Sequence, residues 1–362
     1  MLAQDVLKMN TEEKYFQYLA NISEKVHIFI DNEIKKVQEN TTPEVFSKIE
    51  MLHEKRKESN IFRAFLTNVF YDFFKQNNIE DEKLVISICS LSELNNYNAY
   101  LDNWILDNKN NVWNGDNARE NIGHITIASG IYREIIERVL LKIPISDSKK
   151  ILISSFLSEA MNHSYRGQAI DMSMGIETIS NFKTENEYLD AYTEKSLLQS
   201  GYLYGASCKI GAIISDATQE MIDISDEIGR LIGTGLHISN DLGDFALMDK
   251  GGDFKTYQDQ CADLRNGRLT LPIWYVLTYG SESEKDFFLN AVGKIMTREQ
   301  HIAIIKALHD SGAYGYCKKL IRKYYNQSKK LIKTLPESKH KELLQYAPVV
   351  IRNNKYLANL KM

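Results

Sequence analysis

Residues 221–245 read MIDISDEIGRLIGTGLHISNDLGDF. Their apolar positions, Met221, Ile224, Ile228, Leu231, Gly235, Ile238 and Leu242, alternate strictly between steps of three and four. That alternation is the mark of a helix with one face turned to a core. About 100° round from the stripe, His237, Asn240, Asp241 and Asp244 follow at i, i+3, i+4 and i+7 and share a second, polar face. Two carboxylates and an amide oxygen on one face are hard oxygen donors, the kind Mg2+ takes when it also holds phosphate oxygens. Taken alone, the pattern equally suits a solvated acidic helix surface.

The chain around this stretch permits long helices. Its 362 residues hold only 5 prolines and 19 glycines, and no proline falls between Pro144 and Pro272. Proline removes a backbone donor and glycine loosens the backbone, so a chain poor in both disfavours sandwiches, α/β barrels and disordered or collagen-like structure. The expected fold class is all-α. A small net charge of −4 and the lack of a basic stripe with interleaved aromatics argue against a nucleic-acid partner. Cys89, Cys208, Cys261 and Cys317 are scattered with no CxxC pair, against a zinc site or disulfide frame and in keeping with a reducing compartment. The N-terminus is polar, and no apolar run of about 18 residues could span a bilayer. A cytoplasmic protein is expected.

Further helices are expected over 81–107, 117–142, 147–163, 272–279, 281–292, 297–309 and 311–335, with Pro43 opening another after Thr42. A long helix carries the small-residue stripe Leu197, Gly201, Tyr204, Cys208 and Gly211, which lets a neighbour approach closely. Two polar loops interrupt, at 108–117 and 249–255. One helical domain over 41–362, preceded by an amphipathic extension over 1–40, is the simplest organisation. A second acid cluster lies in LDNWILDN, where Asp102 and Asp107 are preceded by Asn95, Asn96, Asn98 and Asn103. A helix so rich in asparagine has poor propensity, which favours a use beyond plain structure. Gln168 and Asp171 sit one turn apart after Gly167, and Lys195 lies on the small-stripe helix but on another sector. A lysine directed into a bundle needs a carboxylate or phosphate partner, whereas a surface lysine would snorkel to water.

Taken in order, the segments resemble the trans-isoprenyl diphosphate synthases (polyprenyl synthetases) of the class I isoprenoid synthase fold. RGQAID is similar to the GQxxD segment of that family, and EKSLLQSGYLYGASCKIGA to its lysine helix. HISNDLGDF resembles the second aspartate-rich motif, DDxxD, and ADLRNGRLTLP the glycine–lysine run that follows it. The resemblance covers roughly residues 43–352 and implies a single helical bundle that works as a homodimer. It implies that Asp102, Asp107, Asn240, Asp241 and Asp244 hold three Mg2+ ions together with the diphosphate of an allylic isoprenyl substrate. Lys195 and Arg268 would grip that diphosphate, and Gln168 and His237 would lie near the hydrocarbon cation. Lys195, Gln168, Asp241 and Asp244 are then the catalytic set. Tyr97 and Tyr100, shortly before Asp102, would line the apolar pocket.

The departures bear on the reaction. Chain-elongating members bind isopentenyl diphosphate with a GKxRP loop, a histidine and an RRG turn. Here those positions read SNIFRA with only Arg63 kept, Asn95 or Asn96, and Trp113-Asn114-Gly115. Lys55, Arg56, Lys57 or Arg119 could substitute under another alignment. The leading expectation is therefore a terpene synthase-like enzyme that ionises one allylic diphosphate and releases pyrophosphate. The alternative is prenyl transfer to isopentenyl diphosphate or another acceptor, and the lesser one a non-catalytic subunit of a heteromeric synthase.

Overall fold

The computed structural model describes residues 10–57, 61–75, 81–107, 116–246, 261–294 and 296–352. Ser59, Asn60, the Trp113-Asn114-Gly115 turn and the 249–255 loop fall outside them. Among the described residues every extended regular element is a helix, and the single β-type pairing is an isolated antiparallel bridge between Gly175 and Arg268. The all-α expectation holds. No described helix is long and apolar enough to cross a membrane.

In chain order the elements are α1 (Thr11–Gln38), α2 (Pro43–Lys57), α3 (Phe62–Phe74), α4 (Glu82–Leu106), α5 (Ala118–Lys142) and α6 (Asp147–Ser173). A 3-10 turn (Ile176–Asn181) leads to α7 (Glu185–Ser196), a π turn (Leu197–Gly201), α8 (Tyr202–Ile214) and α9 (Gln219–Gly243). There follow α10 (Ala262–Arg265), α11 (Leu271–Tyr279), α12 (Glu282–Ala291) and α13 (Arg298–Asp310). The last are α14 (Ala313–Thr334), α15 (Lys341–Tyr346) and α16 (Val349–Arg352). Starts are written locally: Asn10 with Glu13, Ser281 with Glu284 and Thr297 with Gln300 form reciprocal capping boxes.

The chain divides into two compact units. The first comprises Met1–Asn162, Leu203–Gly229 and Leu331–Ala347; the second comprises His163–Tyr202, Arg230–Lys330 and Pro348–Met362. In the first, α4 contacts α1, α3 and α5, and every residue from Ser87 to Ala99 is buried. This total burial accounts for the asparagines that looked out of place in a helix. Asn98 Oδ1 accepts from Ser129 Oγ at 3.1 Å and from Arg133 Nε at 3.3 Å, which ties α4 to α5 through buried polar bonds. The small-residue stripe works as expected at Gly211, where a Cβ would collide with the Thr67 carbonyl oxygen of α3.

Also in the first unit, His53 of α2 is 1% exposed, and neither ring nitrogen has a hydrogen-bond partner among the described residues. Its ring meets His27 and Tyr97, and Asp31 Oδ1 lies 3.7 Å from Nε2. Burial, then the Lys57 and His27 charges, lower its pKa from 6.5 to about 4. The unfolded imidazole therefore takes up a proton that the folded one refuses, so stability is full above pH 6.5 and falls as pH drops toward 4. Between pH 7.5 and 5 the loss from this group is about 2 kcal/mol. Urea unfolding at the two pH values should show a smaller acid loss in His53→Leu than in the wild type; equal losses would exclude this origin.

In the second unit two expectations need correcting. The helix expected to stop at residue 163 continues to Ser173. Gly167 does not end it, because its missing side chain is where Leu198 and Gln199 press in: a Cβ there would sit 2.7 Å from the Gln199 backbone nitrogen. The stripe over 197–211 is not one regular helix either, since the π turn Leu197–Gly201 joins α7 to α8. A widened turn adds a residue without breaking the chain of helical bonds, and such turns gather at functional positions. On α9 the core face is as expected at Ile228, Gly235, Ile238 and Leu242, whereas Met221, Ile224 and Leu231 are only partly buried.

Candidate active site

The polar centre of the second unit is built on Lys195, the last-turn lysine of α7. It is 2% exposed, which excludes the snorkelling alternative. Its Nζ donates to Asp171 Oδ1 at 2.8 Å, lies 3.8 Å from Asp241 Oδ2 and sits 5.0 Å over the Tyr192 ring. Burial opposes the ammonium charge, yet the Asp171 and Asp241 carboxylates hold its pKa above the ordinary lysine value. For Asp171 burial likewise opposes ionisation, and Lys195 followed by Arg268 overcomes it, so its carboxyl lies below the usual range.

Arg268 reaches the same carboxylate by way of the backbone bridge. Ile176 N donates to Gly267 O and Leu269 N to Met174 O, each at 2.8 Å. Stitching the end of α6 to the segment before α11 brings Arg268 Nε within 3.6 Å of Asp171 Oδ2 and lets its NH1 donate to the Asp171 carbonyl at 3.3 Å. Gly267 adopts φ +67 in the turn before the arginine, a conformation open to glycine and strained for other residues.

Facing Lys195, the last turn of α9 and the residue just past its end present Asp241 and Asp244, 7% and 5% exposed. Tyr192 donates its phenol to Asp241 Oδ2 at 2.8 Å, and the Asp263 backbone N–H donates to Asp244 Oδ2 at 3.0 Å. Burial and then the Asp241 charge push the Tyr192 phenol far above its ordinary value, so it remains a donor. The Asp263 carboxyl is pushed well above the usual carboxylate range by desolvation, then by the charges of Asp244, Asp241 and Asp171, with Lys195 opposing. Four carboxylates thus share a small region with one lysine and one arginine. Among the described residues, no three His, Cys, Asp or Glu side chains converge closely enough to hold a metal ion unaided.

The other expected residues of this unit lie around that centre. His237 is partly buried, with Nε2 3.7 Å from Asp241 Oδ1. Asn240, expected on the same face as Asp241 and Asp244, is exposed where they are buried. Gln168 is 6% exposed and accepts at Oε1 from Gln199 Nε2 at 2.7 Å, so the π turn supplies the partner that orients it.

Asp102, Asp107, Tyr97, Tyr100 and Arg63 belong to the first unit. Asp102 accepts from Ser129 Oγ at 2.8 Å and from Asn98 Nδ2 at 3.3 Å, with Arg133 NH2 3.7 Å away. Asp107 ends α4, its N–H bonded to Asn103 O at 2.9 Å. Tyr97 is fully buried, edge-on to Tyr132, while Tyr100 is partly exposed and carries the Arg56 guanidinium 4.9 Å over its ring. Arg63 lies 4.1 Å over the Tyr204 ring. The buried Glu93 joins the two arginines: Oε1 accepts from the Arg63 and Ala64 backbone N–H groups, and Oε2 lies 3.8 Å from Arg56 NH2.

Asp263, Tyr192 and Gln199 were not among the site residues read from sequence. Asp263 had a signal, its place in ADLRNGRLTLP, whereas Tyr192 and Gln199 take their importance from partners far along the chain.

The sequence pattern that defines the polyprenyl synthetase family matches residues 111–309, more than half of the chain. A geranylgeranyl diphosphate synthase of Methanosarcina mazei is 28% identical over 223 residues, 61% of this chain and 63% of its own length. The matched part is thus slightly under two thirds of that relative. A short chain isoprenyl diphosphate synthase of Methanocaldococcus jannaschii is 27% identical over 244 residues, 66% of this chain and 69% of its own. In fold, the chain is similar to the geranylgeranyl pyrophosphate synthetase of Pyrococcus horikoshii, with a TM-score of 0.72 at 19% identity over 94% of this chain and 99% of that one. The geranylgeranyl pyrophosphate synthase of Corynebacterium glutamicum, crystallised with isoprenyl diphosphate and magnesium, gives a TM-score of 0.75 at 14% identity over 93% and 98%. The matched segment contains the lysine, the α9 carboxylates and the arginine just described, and the chain belongs to the polyprenyl synthetase family.

Proposed function

We propose that the protein is a Mg2+-dependent prenyltransferase that joins an allylic isoprenyl group to isopentenyl diphosphate with release of pyrophosphate. The observation that carries this reading is the buried Lys195–Asp171–Arg268 cluster set against Asp241, Asp244 and Asp263. Such a centre combines fixed cations for a diphosphate with hard carboxylate oxygens for a divalent cation. The crowding that keeps Asp263 from ionising freely fits a site completed by a dication. As no three acidic or imidazole groups among the described residues converge unaided, the shell of Mg2+ would be completed by diphosphate oxygens and water, its habit in phosphate chemistry. Asp241 and Asp244 would hold it, with Asn240. When bound, Mg2+ would neutralise the charge that develops on the departing pyrophosphate.

The residues of the chain divide the remaining work. Lys195 and Arg268 would bind the diphosphate, whose C1–O bond breaks with the electron pair leaving on oxygen. Gln168 and His237 would face the allylic carbon chain. The double bond of the acceptor then supplies the electrons of the new C–C bond, and loss of a proton from the acceptor restores neutrality.

Family membership and the named activities of the relatives favour this alternative over the cyclase that the eroded motifs suggested first. One feature of the first unit supports it further. Arg56 lies beside Glu93 and over Tyr100, and Arg63 lies over Tyr204 with its backbone N–H on Glu93, although the loop that normally supplies such arginines has lost its motif. A second diphosphate would find its cations there, with Arg56 in the part the alternative alignment allowed.

The test is incubation with Mg2+ and C10, C15 or C20 allylic diphosphates, with and without isopentenyl diphosphate, with products identified by mass spectrometry. Longer isoprenyl diphosphates, formed only when isopentenyl diphosphate is present, are expected. Cyclic or hydroxylated hydrocarbons formed without it would establish the cyclase, and no pyrophosphate release in any mixture would favour the non-catalytic subunit.

A further inference from the structure

We propose that Tyr192 is a positioning residue for Asp241, its phenol holding the carboxylate so that Oδ1 is the oxygen offered to a divalent cation. The inference rests on the reading of Asp241 as a metal ligand. Tyr192 lies on α7 rather than on α9, so the bond it makes crosses between two helices. It is fully buried, and its hydroxyl is 2.8 Å from Asp241 Oδ2. The Tyr192 ring stacks on Tyr188 at 5.8 Å and 14°, and Tyr188 stacks on Trp274 at 4.2 Å and 5°. Lys195 Nζ rests 5.0 Å over the ring. A phenol fixed in this way defines one position for the oxygen it binds.

Without the phenol, Oδ2 still has the Lys195 ammonium beside it, now 3.8 Å away. The carboxylate would turn toward the ammonium, which would withdraw an oxygen from the cation and the lysine from Asp171 together. Phenylalanine at position 192 keeps the stack and the cation–π contact and removes only the donor. The phenol thus acts as an outer partner of a ligating carboxylate, a kind of contact whose removal weakens metal binding while the ligands themselves stay in place.

The experiment is calorimetric titration of Mg2+ into the full chain with pyrophosphate present, for wild type, Tyr192→Phe, Asp241→Asn and Tyr132→Phe. Tyr132 is a control for loss of a buried phenol bond, since its hydroxyl is bonded to the Ile49 carbonyl. Tyr192→Phe is expected to weaken Mg2+ binding by about 10-fold or more, with Tyr132→Phe close to wild type. Wild-type Mg2+ affinity in Tyr192→Phe, with binding lost in Asp241→Asn, would overturn the role of Tyr192. Wild-type affinity in Asp241→Asn would overturn the reading of Asp241 itself. Circular dichroism checks folding; if Tyr192→Phe does not fold, Tyr192→Met, which fills similar space without a donor, is titrated in its place with the same two outcomes.

Discussion

Asp241→Ala and Asp244→Ala are each expected to lower turnover by about 10^3-fold, the scale on which a fixed electrostatic partner of the transition state acts, while leaving the helices intact. Both carboxylates are buried, Asp241 in the last turn of α9 and Asp244 just past its end. Each already has one oxygen engaged, Asp241 by the Tyr192 phenol and Asp244 by the Asp263 N–H. What remains for a cation is therefore limited. Among the described residues, Asp263 is a poor substitute, since burial and then the very carboxylates it would replace hold it toward its neutral form. Alanine is the better helix former, so α9 should not unwind. Removing one negative charge relieves the crowding on Asp263, while Asp241→Ala also strands the buried Tyr192 phenol, so thermal stability should hold better in Asp244→Ala than in Asp241→Ala. Steady-state kinetics with far-UV circular dichroism checks both halves of the prediction. Near-normal rates in both variants would remove the metal assignment from this face.

Lys195→Ala should fail in a different way, losing stability as well as activity. Removing the ammonium leaves Asp171 in a buried setting with Arg268, 3.6 Å away, and the weaker influence of His237 to compensate it. Breaking one side of a buried pair costs roughly 3–5 kcal/mol, and the remaining arginine argues for the lower end. Adding Asp171→Asn removes the stranded charge, so the double variant should recover most of the stability. It should not recover turnover, expected to fall by about 10^2- to 10^3-fold in both, because the cation for the diphosphate is still missing. Denaturant unfolding beside turnover separates the two effects. A double variant no more stable than the single one would mean that the lysine holds something other than Asp171.

Most of the helical architecture was legible because its signal is local. Capping residues and the three-four alternation depend on neighbours in sequence, and the ends of α4, α5, α12 and α13 fall within a residue or two of where they were expected. The continuation of α6 past residue 163 went unread because the use of Gly167, admitting Leu198 and Gln199, is visible only in the fold. The π turn has no sequence period of its own, so nothing announced it. Of the residues singled out in the sequence segments, Lys195, Asp171, Asp241 and Arg268 do come together in the fold. The distinct environments of such residues were not legible: a shared helix face could not tell that Asn240 is exposed while Asp241 and Asp244 are buried. Tyr192 was hidden for the same reason, since it matters only through Asp241, on another helix.

The short pairing of Gly175 with Arg268 also bears on the order of assembly. Arg268 and Asp171 stand 97 residues apart in the chain, and their contact depends on that one pairing being made. Long-range closures of this kind carry a high entropic cost and tend to form late, after local helices are in place. A nascent or partly folded chain would therefore hold most of its helices before it could hold a diphosphate. Ligand binding then reports a completed fold more stringently than helical content does, and the first capacity to fade on gentle destabilisation should be the grip on the anion.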